Sequence, residues 1–364
     1  MGVSAVEGFR VGLFLPIGQH GFIVSKTSPA LQATYGYNKE VTQLAESLGY
    51  DFVFSMIKYR GFGVESPFWH SCLESMTMSS ALAECTERIQ IIGSVSVLTI
   101  SPGPLAKMAA TIDQVSHGRF GLNIVSGSFP TELKQMNLWK YDHDTRYDNA
   151  AEYVQCLKKL WTEERTTFEG EYQRLEDCES NPKPWQKPHP PLVCAGVSEK
   201  GLRFTAQNGD VAFLALATPD MVKDNAAKVK QYAQEAGRSV SAMACFVPIG
   251  GRTTEEAEAR YHYYVDGKDR PGVEKIAEEF GIRGGSTPEE MFDQLMFFGT
   301  PLVGDADHVA DVLFDLQQNG VDGAVLMLPD YIDDQIWMAQ HVLPRLEKKL
   351  EATGQGQAVG AATA

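Results

Sequence analysis

The chain has 364 residues, 43% of them hydrophobic, a formal net charge of -15 and a pI near 5.0. That is enough apolar material for one large α/β domain or two smaller ones, and it argues against wholesale disorder. The acidic balance disfavours DNA, RNA or an anionic membrane as the main partner, while leaving room for a local anion pocket.

In chain order, residues 1–8 read as a flexible start, and Phe9–Ile17 is a first strand running into the loop Gly18-Gln19-His20-Gly21. Asn38–Leu48 places Val41, Leu44, Ala45 and Leu48 on one helical face, with Gly49 as the stop. Tyr50–Met56 is strand two, Leu73–Ala83 a helix, Arg88–Leu98 an Ile/Val-rich strand three and Leu105–Val115 the next helix. His117-Gly118 ends that helix, and Phe120–Val125 follows as a short apolar strand with one amide, Asn123, inside it. It breaks at once into Ser126-Gly127-Ser128. Arg146–Trp161 is a helix with Tyr147, Ala151, Val154, Leu157 and Trp161 in register.

The pattern then loosens. Phe168–Cys178 is a small excursion, and Asn181–Pro190 is proline-rich and extended. Pro191–Cys194, Val211–Leu214, Ala242–Val247 and Gly323–Leu328 read as strands five to eight. Helices are expected at Met221–Ala236, Asp305–Gly320 and Asp334–Leu350. Gly251–Gly304 is long, polar and aromatic, with Gly284-Gly285 in it, and is expected to decorate the domain as a mobile cover. Residues 351–364 read as a frayed tail.

Eight strands alternating with helices predict a single (β/α)8 barrel over residues 9–350, with an open doubly wound sheet as the alternative. Gly12, Gly18 and Gly21 do not give a dinucleotide fingerprint. Met1–Gly8 has neither the basic start nor the apolar core of a signal peptide, and no run approaches the ~20 apolar residues of a membrane span. Cys72, Cys85, Cys156, Cys178, Cys194 and Cys245 lack paired spacing and read as reduced thiols of a cytoplasmic protein.

In a barrel the chemistry sits where the strands end. Those ends carry Phe54-Ser55-Met56-Ile57-Lys58, Ser94 and Ser96, then Asn123, Ser126 and Ser128, Ala195-Gly196-Val197-Ser198, and Leu328-Pro329-Asp330. Paired carboxylates, metal-ligand spacing, a nucleophile elbow and a P-loop are all missing from this mouth. Many hydrogen bonders without an acid, base or nucleophile suit an organic cofactor that supplies the reactivity. His20 and His70 border strand-end loops, and Phe62, Phe68 and Trp69 cluster after strand two, so each is a candidate wall or substrate contact.

Several motifs occur in order: Ser55-Met56-Ile57-Lys58 with Arg60-Gly61-Phe62-Gly63, Met108–Asp113, and Gly118-Arg119-Phe120-Gly121-x-Asn123-x-Val125. Arg146-Tyr147 with Glu152–Gln155, Cys194-Ala195-Gly196-x-Ser198 and Leu302-Val303-Gly304 follow. With them the chain resembles the bacterial-luciferase-like flavin monooxygenases, closest to the pyrimidine (uracil) monooxygenase branch. Dimethyl-sulfone and alkanesulfonate monooxygenases are more distant relatives.

The resemblance implies flavin mononucleotide contacts at Ile57, Lys58, Asn123, Glu132, Arg146, Tyr147 and Ser198. It implies an oxygen pocket of Phe54, Ser94, Asn123, Ser126 and Ser128 beside flavin N5. It also implies that FMNH2 arrives from a separate flavin reductase, which alone consumes NAD(P)H. The resemblance further implies O2 as the cosubstrate, with one oxygen atom expected to pass from flavin N5 or C4a to a small N-heterocycle whose ring amide C–N bond opens. A homodimer or homotetramer is expected. The branch carries Leu at Phe54, Thr at Ser94 and Ser126, and Trp at Ser128, so the substrate is expected to differ from uracil. The alternatives are a sulfone or sulfonate monooxygenase, which needs more basic groups than Lys58 and Arg60, and a non-catalytic flavin-binding relative.

Overall fold

The computed structural model describes residues 8–62, 66–215, 218–280 and 295–353. In chain order the strands are β1 (Arg10–Phe14), β2 (Phe52–Phe54), β3 (Gln90–Ser96), β4 (Phe120–Val125), β5 (Thr166–Glu169) and β6 (Arg174–Cys178). β7 (Leu192–Ala195), β8 (Val211–Leu214), β9 (Ser241–Gly250), β10 (Thr300–Gly304) and β11 (Gly323–Leu326) complete the set. The parallel order β11-β1-β2-β3-β4-β7-β8-β9, together with the β9–β11 pairing, closes an eight-stranded barrel. The expected (β/α)8 architecture is therefore correct, and the open sheet is excluded.

Strands buried on both faces are near-continuous apolar runs, and β9 (SAMACFVPIG) and β4 (FGLNIV) read that way. Helices pack outside and return the chain after most strands. Tyr35–Ser47, Ser75–Glu84, Pro102–Val115 and Pro219–Glu235 fall within a few residues of expectation. So does His143–Thr162, whose Asp142 side chain caps Thr145 N at 2.8 Å.

Four features differ from the expectation. The excursion after the long helix is an antiparallel hairpin of β5 and β6. A helix, Glu199–Asn208, was not expected, because Gly201 sits in its first turn. A side chain there would meet the Tyr147 hydroxyl at 2.7 Å, so packing holds the glycine in spite of its poor helix propensity. The C-terminal helix is interrupted by a π-helical turn at Met338–Val342, directly before Leu343-Pro344. Proline lacks the N–H that a continuous α-helix would use there.

Finally, the decoration contains helices Thr254–Asp266 and Arg270–Glu279, and β10, which adds to β9 outside the barrel ring. The Gly284-Gly285 pair, residues 1–7 and residues 354–364 lie outside the described residues. Among the described residues no helix is long and apolar enough to cross a membrane. All six cysteines are free thiols.

Candidate active site

A cavity of about 550 Å³ opens at the carboxyl ends of the strands. Strand register explains its polar centre. Ser94 of β3 and Asn123 of β4 are direct partners across the parallel pair, so their side chains share a face. Asn123 Nδ2 donates to Ser94 Oγ at 2.8 Å, and Ser94 Oγ donates to the Ser55 carbonyl at 2.5 Å. Ser75 Oγ accepts the Ser94 N–H at 2.7 Å and lies 2.6 Å from Ser55 Oγ. The network fixes the amide and leaves Asn123 Oδ1 buried with no protein partner. A buried carbonyl left this way costs stability unless a ligand supplies a donor.

A second unpartnered atom belongs to Arg146, which lines the same cavity. The Arg146 Nε is buried and unbonded, while Nη1 donates to Tyr141 O at 3.1 Å and the guanidinium lies 4.2 Å from the centre of the Trp139 ring. Burial pulls its pKa below the usual arginine value, an effect an added anion would oppose. Gly127, at φ +135, passes so close that a Cβ would fall 2.8 Å from Arg146 Cδ. Beside it, a Cβ at Gly196 would meet the Tyr147 hydroxyl at 2.6 Å. Ser198 then caps the helix Glu199–Asn208, accepting from Gly201 N at 3.1 Å.

A cationic side chain, a phenol, closely approached glycines and a helix N-terminus form an anion cradle. With the Asn123 acceptor in the same cavity, these donors and acceptors fit a phosphate-bearing flavin. One Nδ2 hydrogen is committed to Ser94, which orients the amide so that Oδ1 is the buried acceptor left for a ligand.

Of the residues singled out from sequence, Ile57, Ser94, Asn123, Ser126, Ser128, Arg146 and Tyr147 line this cavity. Phe54 stands behind the wall, its ring 5.0 Å from Phe14 and 4.8 Å from Phe213. Lys58 and Glu132 face one another across 2.8 Å with side chains 3% and 4% exposed, and border an adjoining crevice of about 240 Å³. The Lys58 ammonium also sits 3.9 Å from the Phe129 ring centre and 4.6 Å from that of Phe62. Burial lowers its pKa, and Glu132 opposes the shift.

That crevice includes Arg60 and shares Glu279 with the main cavity. Ser198 lies just past the cavity-lining Gly196 and Val197. His70 is exposed, and His20 has a buried Nδ1 without a partner and is not a lining residue. Trp69 lines the cavity, whereas Phe68 stacks behind it at 4.7 Å.

The sequence reading missed Trp139, which has no signal beyond preceding the Arg146 helix. It also missed Phe14 and Phe213, although both stand at strand carboxyl ends, where counting could have found them.

The family model for luciferase-like monooxygenases matches residues 9–323. The chain is 36% identical over 359 residues to pyrimidine monooxygenase RutA of Allorhizobium ampelinum, covering 93% of this chain and 96% of that protein. It is 37% identical over 334 residues to RutA of Pseudomonas savastanoi pv. phaseolicola, covering 88% and 92%. Among solved structures, riboflavin lyase RcaE superposes with a TM-score of 0.84 at 23% identity, covering 98% of this chain and 94% of that one. Long-chain alkane monooxygenase LadA superposes at 0.83 with 20% identity, covering 97% and 93%.

Proposed function

The chain belongs to the luciferase-like monooxygenase family, and from that premise we propose that it is a two-component, FMNH2-dependent enzyme acting on a cyclic amide. Membership in that family, with relatives named as pyrimidine monooxygenases, supports a flavin-using monooxygenase. The finer reading rests on one observation: two buried, unpartnered polar atoms, Asn123 Oδ1 and Arg146 Nε, belong to residues lining a single cavity. The ring-amide class follows the pyrimidine named for the relatives.

Bound reduced flavin would supply two electrons and activate O2, one atom going to substrate and the other leaving as water. The protein's part is positional. Arg146 and Tyr147 would hold the phosphate, with Ser198 and the first turn of its helix closing the cradle. Asn123 would accept from an N–H of the reduced ring, held in place by Ser94. Ser126 and Ser128 offer hydroxyls beside the reacting edge. The aromatic walls exclude water, which strengthens these polar contacts.

A separate flavin reductase, met by diffusion and using NAD(P)H, would provide the reduced cofactor. A sulfonate substrate is less suited, because Arg146, a cation lining the cavity, is assigned to the flavin phosphate, and Lys58 in the adjoining crevice is paired with Glu132. The test combines purified protein, a generic flavin reductase, NADH, FMN and a panel of ring amides and small sulfones under 18O2. The expected result is a product heavier by one labelled oxygen, or its ring-opened acid, from the amide set. Oxygen incorporation into sulfones alone, or peroxide release without any product, would overturn the reading.

A further inference from the structure

The cavity is chemically lopsided. Its hydrogen-bonding side chains come from β3, β4 and the segments that follow β4, as Ser94, Asn123, Ser126, Ser128, Arg146 and Tyr147, with Phe129 and Trp139 among them. From β1, β8 and neighbouring loops come Phe14, Phe22, Trp69, Phe213 and Phe298.

These rings form a connected wall. Phe14 stacks on Phe22 with centroids 4.7 Å apart and an interplanar angle of 15°, and meets Phe213 at 5.7 Å. Phe22 meets Trp69 edge-on at 5.7 Å, and Trp69 lies 4.5 Å from Phe298. The one polar atom in the wall, Trp69 Nε1, is spent on the Gly21 carbonyl at 2.6 Å. Phe54, packed behind Phe14 and Phe213, stiffens the arrangement. The wall offers π faces and edges and no free hydrogen bond.

We propose that the substrate is a ring amide bearing a fused or attached aromatic ring, larger than a single pyrimidine. This rests on the cyclic-amide reading above. The amide edge faces the Ser126 and Ser128 hydroxyls, and the added ring stacks on the phenylalanine wall. A lone pyrimidine would leave that wall partly uncovered, or turn polar edge groups toward a surface that cannot bond them. An added aromatic ring instead buries apolar area and gains offset or edge-to-face contacts with Phe14 and Phe213.

Uracil and quinazoline-2,4-dione present the same amide edge and differ by a fused benzene ring. Calorimetric titration of each, with oxidised FMN present and again without it, reads the preference directly. The fused compound is expected to bind about tenfold or more tightly than uracil, the gain expected for burying one further ring. Phe14→Leu and Phe213→Leu should each cut that preference, read as the ratio of the two affinities, severalfold. Two variants are used so that a folding failure in one leaves the other. Equal affinities, a preference for uracil, binding of neither compound, or an unchanged preference in the folded variants would overturn the proposal. No reductase or turnover is involved, so failed oxygen transfer would count against the monooxygenase mechanism and not against this selectivity.

Discussion

Lys58 and Glu132 show how a sequence-level assignment changes character once side chains are placed. Each looked like an independent cofactor contact. Instead they form one buried ion pair, with Glu132 Oε2 also accepting the Tyr59 N–H at 3.0 Å and the ammonium flanked by two phenyl rings. Removing one member strands a charge in an apolar setting, whereas removing both removes the problem. Glu132→Leu alone should therefore cost about 3–5 kcal/mol in urea unfolding, and Lys58→Met/Glu132→Leu should recover most of that loss. Additive losses would mean that the pair is solvated and the burial argument fails. Phe129, in the left-handed region at φ 52, holds one of the two rings against Lys58, so the pair is also tied to the loop following β4.

Single contacts of this kind also set how elements are joined. Glu46, near the end of the helix Tyr35–Ser47, accepts the N–H groups of Glu87, Arg88 and Ile89 at 2.9, 2.6 and 2.9 Å. It thereby pins that helix to the entry of β3. Burial acts to raise its pKa, but the three backbone donors, with Arg88, outweigh it and hold the carboxyl below the usual glutamate range. A depressed carboxylate stabilises the fold above its unfolded pKa and loses that contribution as pH falls through the folded value. Glu46→Gln should cost about 1–3 kcal/mol near neutral pH. Its difference from the parent should shrink as pH falls below about 4.3, where the unfolded carboxyl is half protonated. A pH-independent gap would assign the effect to packing.

Such devices were invisible in the sequence, whereas the alternation of strands and helices was plain because buried parallel strands are written as apolar runs. Phe120–Val125 and Val211–Leu214 matched their predicted limits to the residue. What stayed hidden depended on contacts between distant segments. Gly201 disguised a helix because of Tyr147, and β10 forms only because β9 outruns the barrel. The candidate site divided the same way: Asn123 stood out as an amide in an apolar strand, while nothing local marked Trp139 or Phe298.

At the scale of the molecule, the barrel separates its tasks by end. The amino ends of β8 and β11 carry Asp210 and Asp322, which pair with Arg238 at 3.2 Å and Lys230 at 2.8 Å beside a hollow of about 490 Å³. These pairs clamp strand starts, the stability face of such a fold. The carboxyl ends carry the cavity, and the segment after β9 is tied to both the barrel and the C-terminal helices. Arg260 reaches Asp334 at 2.8 Å, and Asp269 accepts from the backbone and hydroxyl of Ser66.

If these ties make one cooperative unit, a ligand at the carboxyl end must stabilise all of it. FMN at 100 times its dissociation constant should add about 2.7 kcal/mol, or roughly 3–4 °C for a chain of this length, in a single calorimetric transition. Arg146→Ala removes a charge-assisted bond worth about 1.5–3 kcal/mol and should weaken FMN about tenfold or more, which at the same FMN concentration roughly halves the shift. An unchanged shift in that variant would move the phosphate elsewhere. Two transitions, only one of them moved by FMN, would show that the segment after β9 unfolds apart from the barrel, and its contacts with the cavity rim could not then be relied on to organise the site.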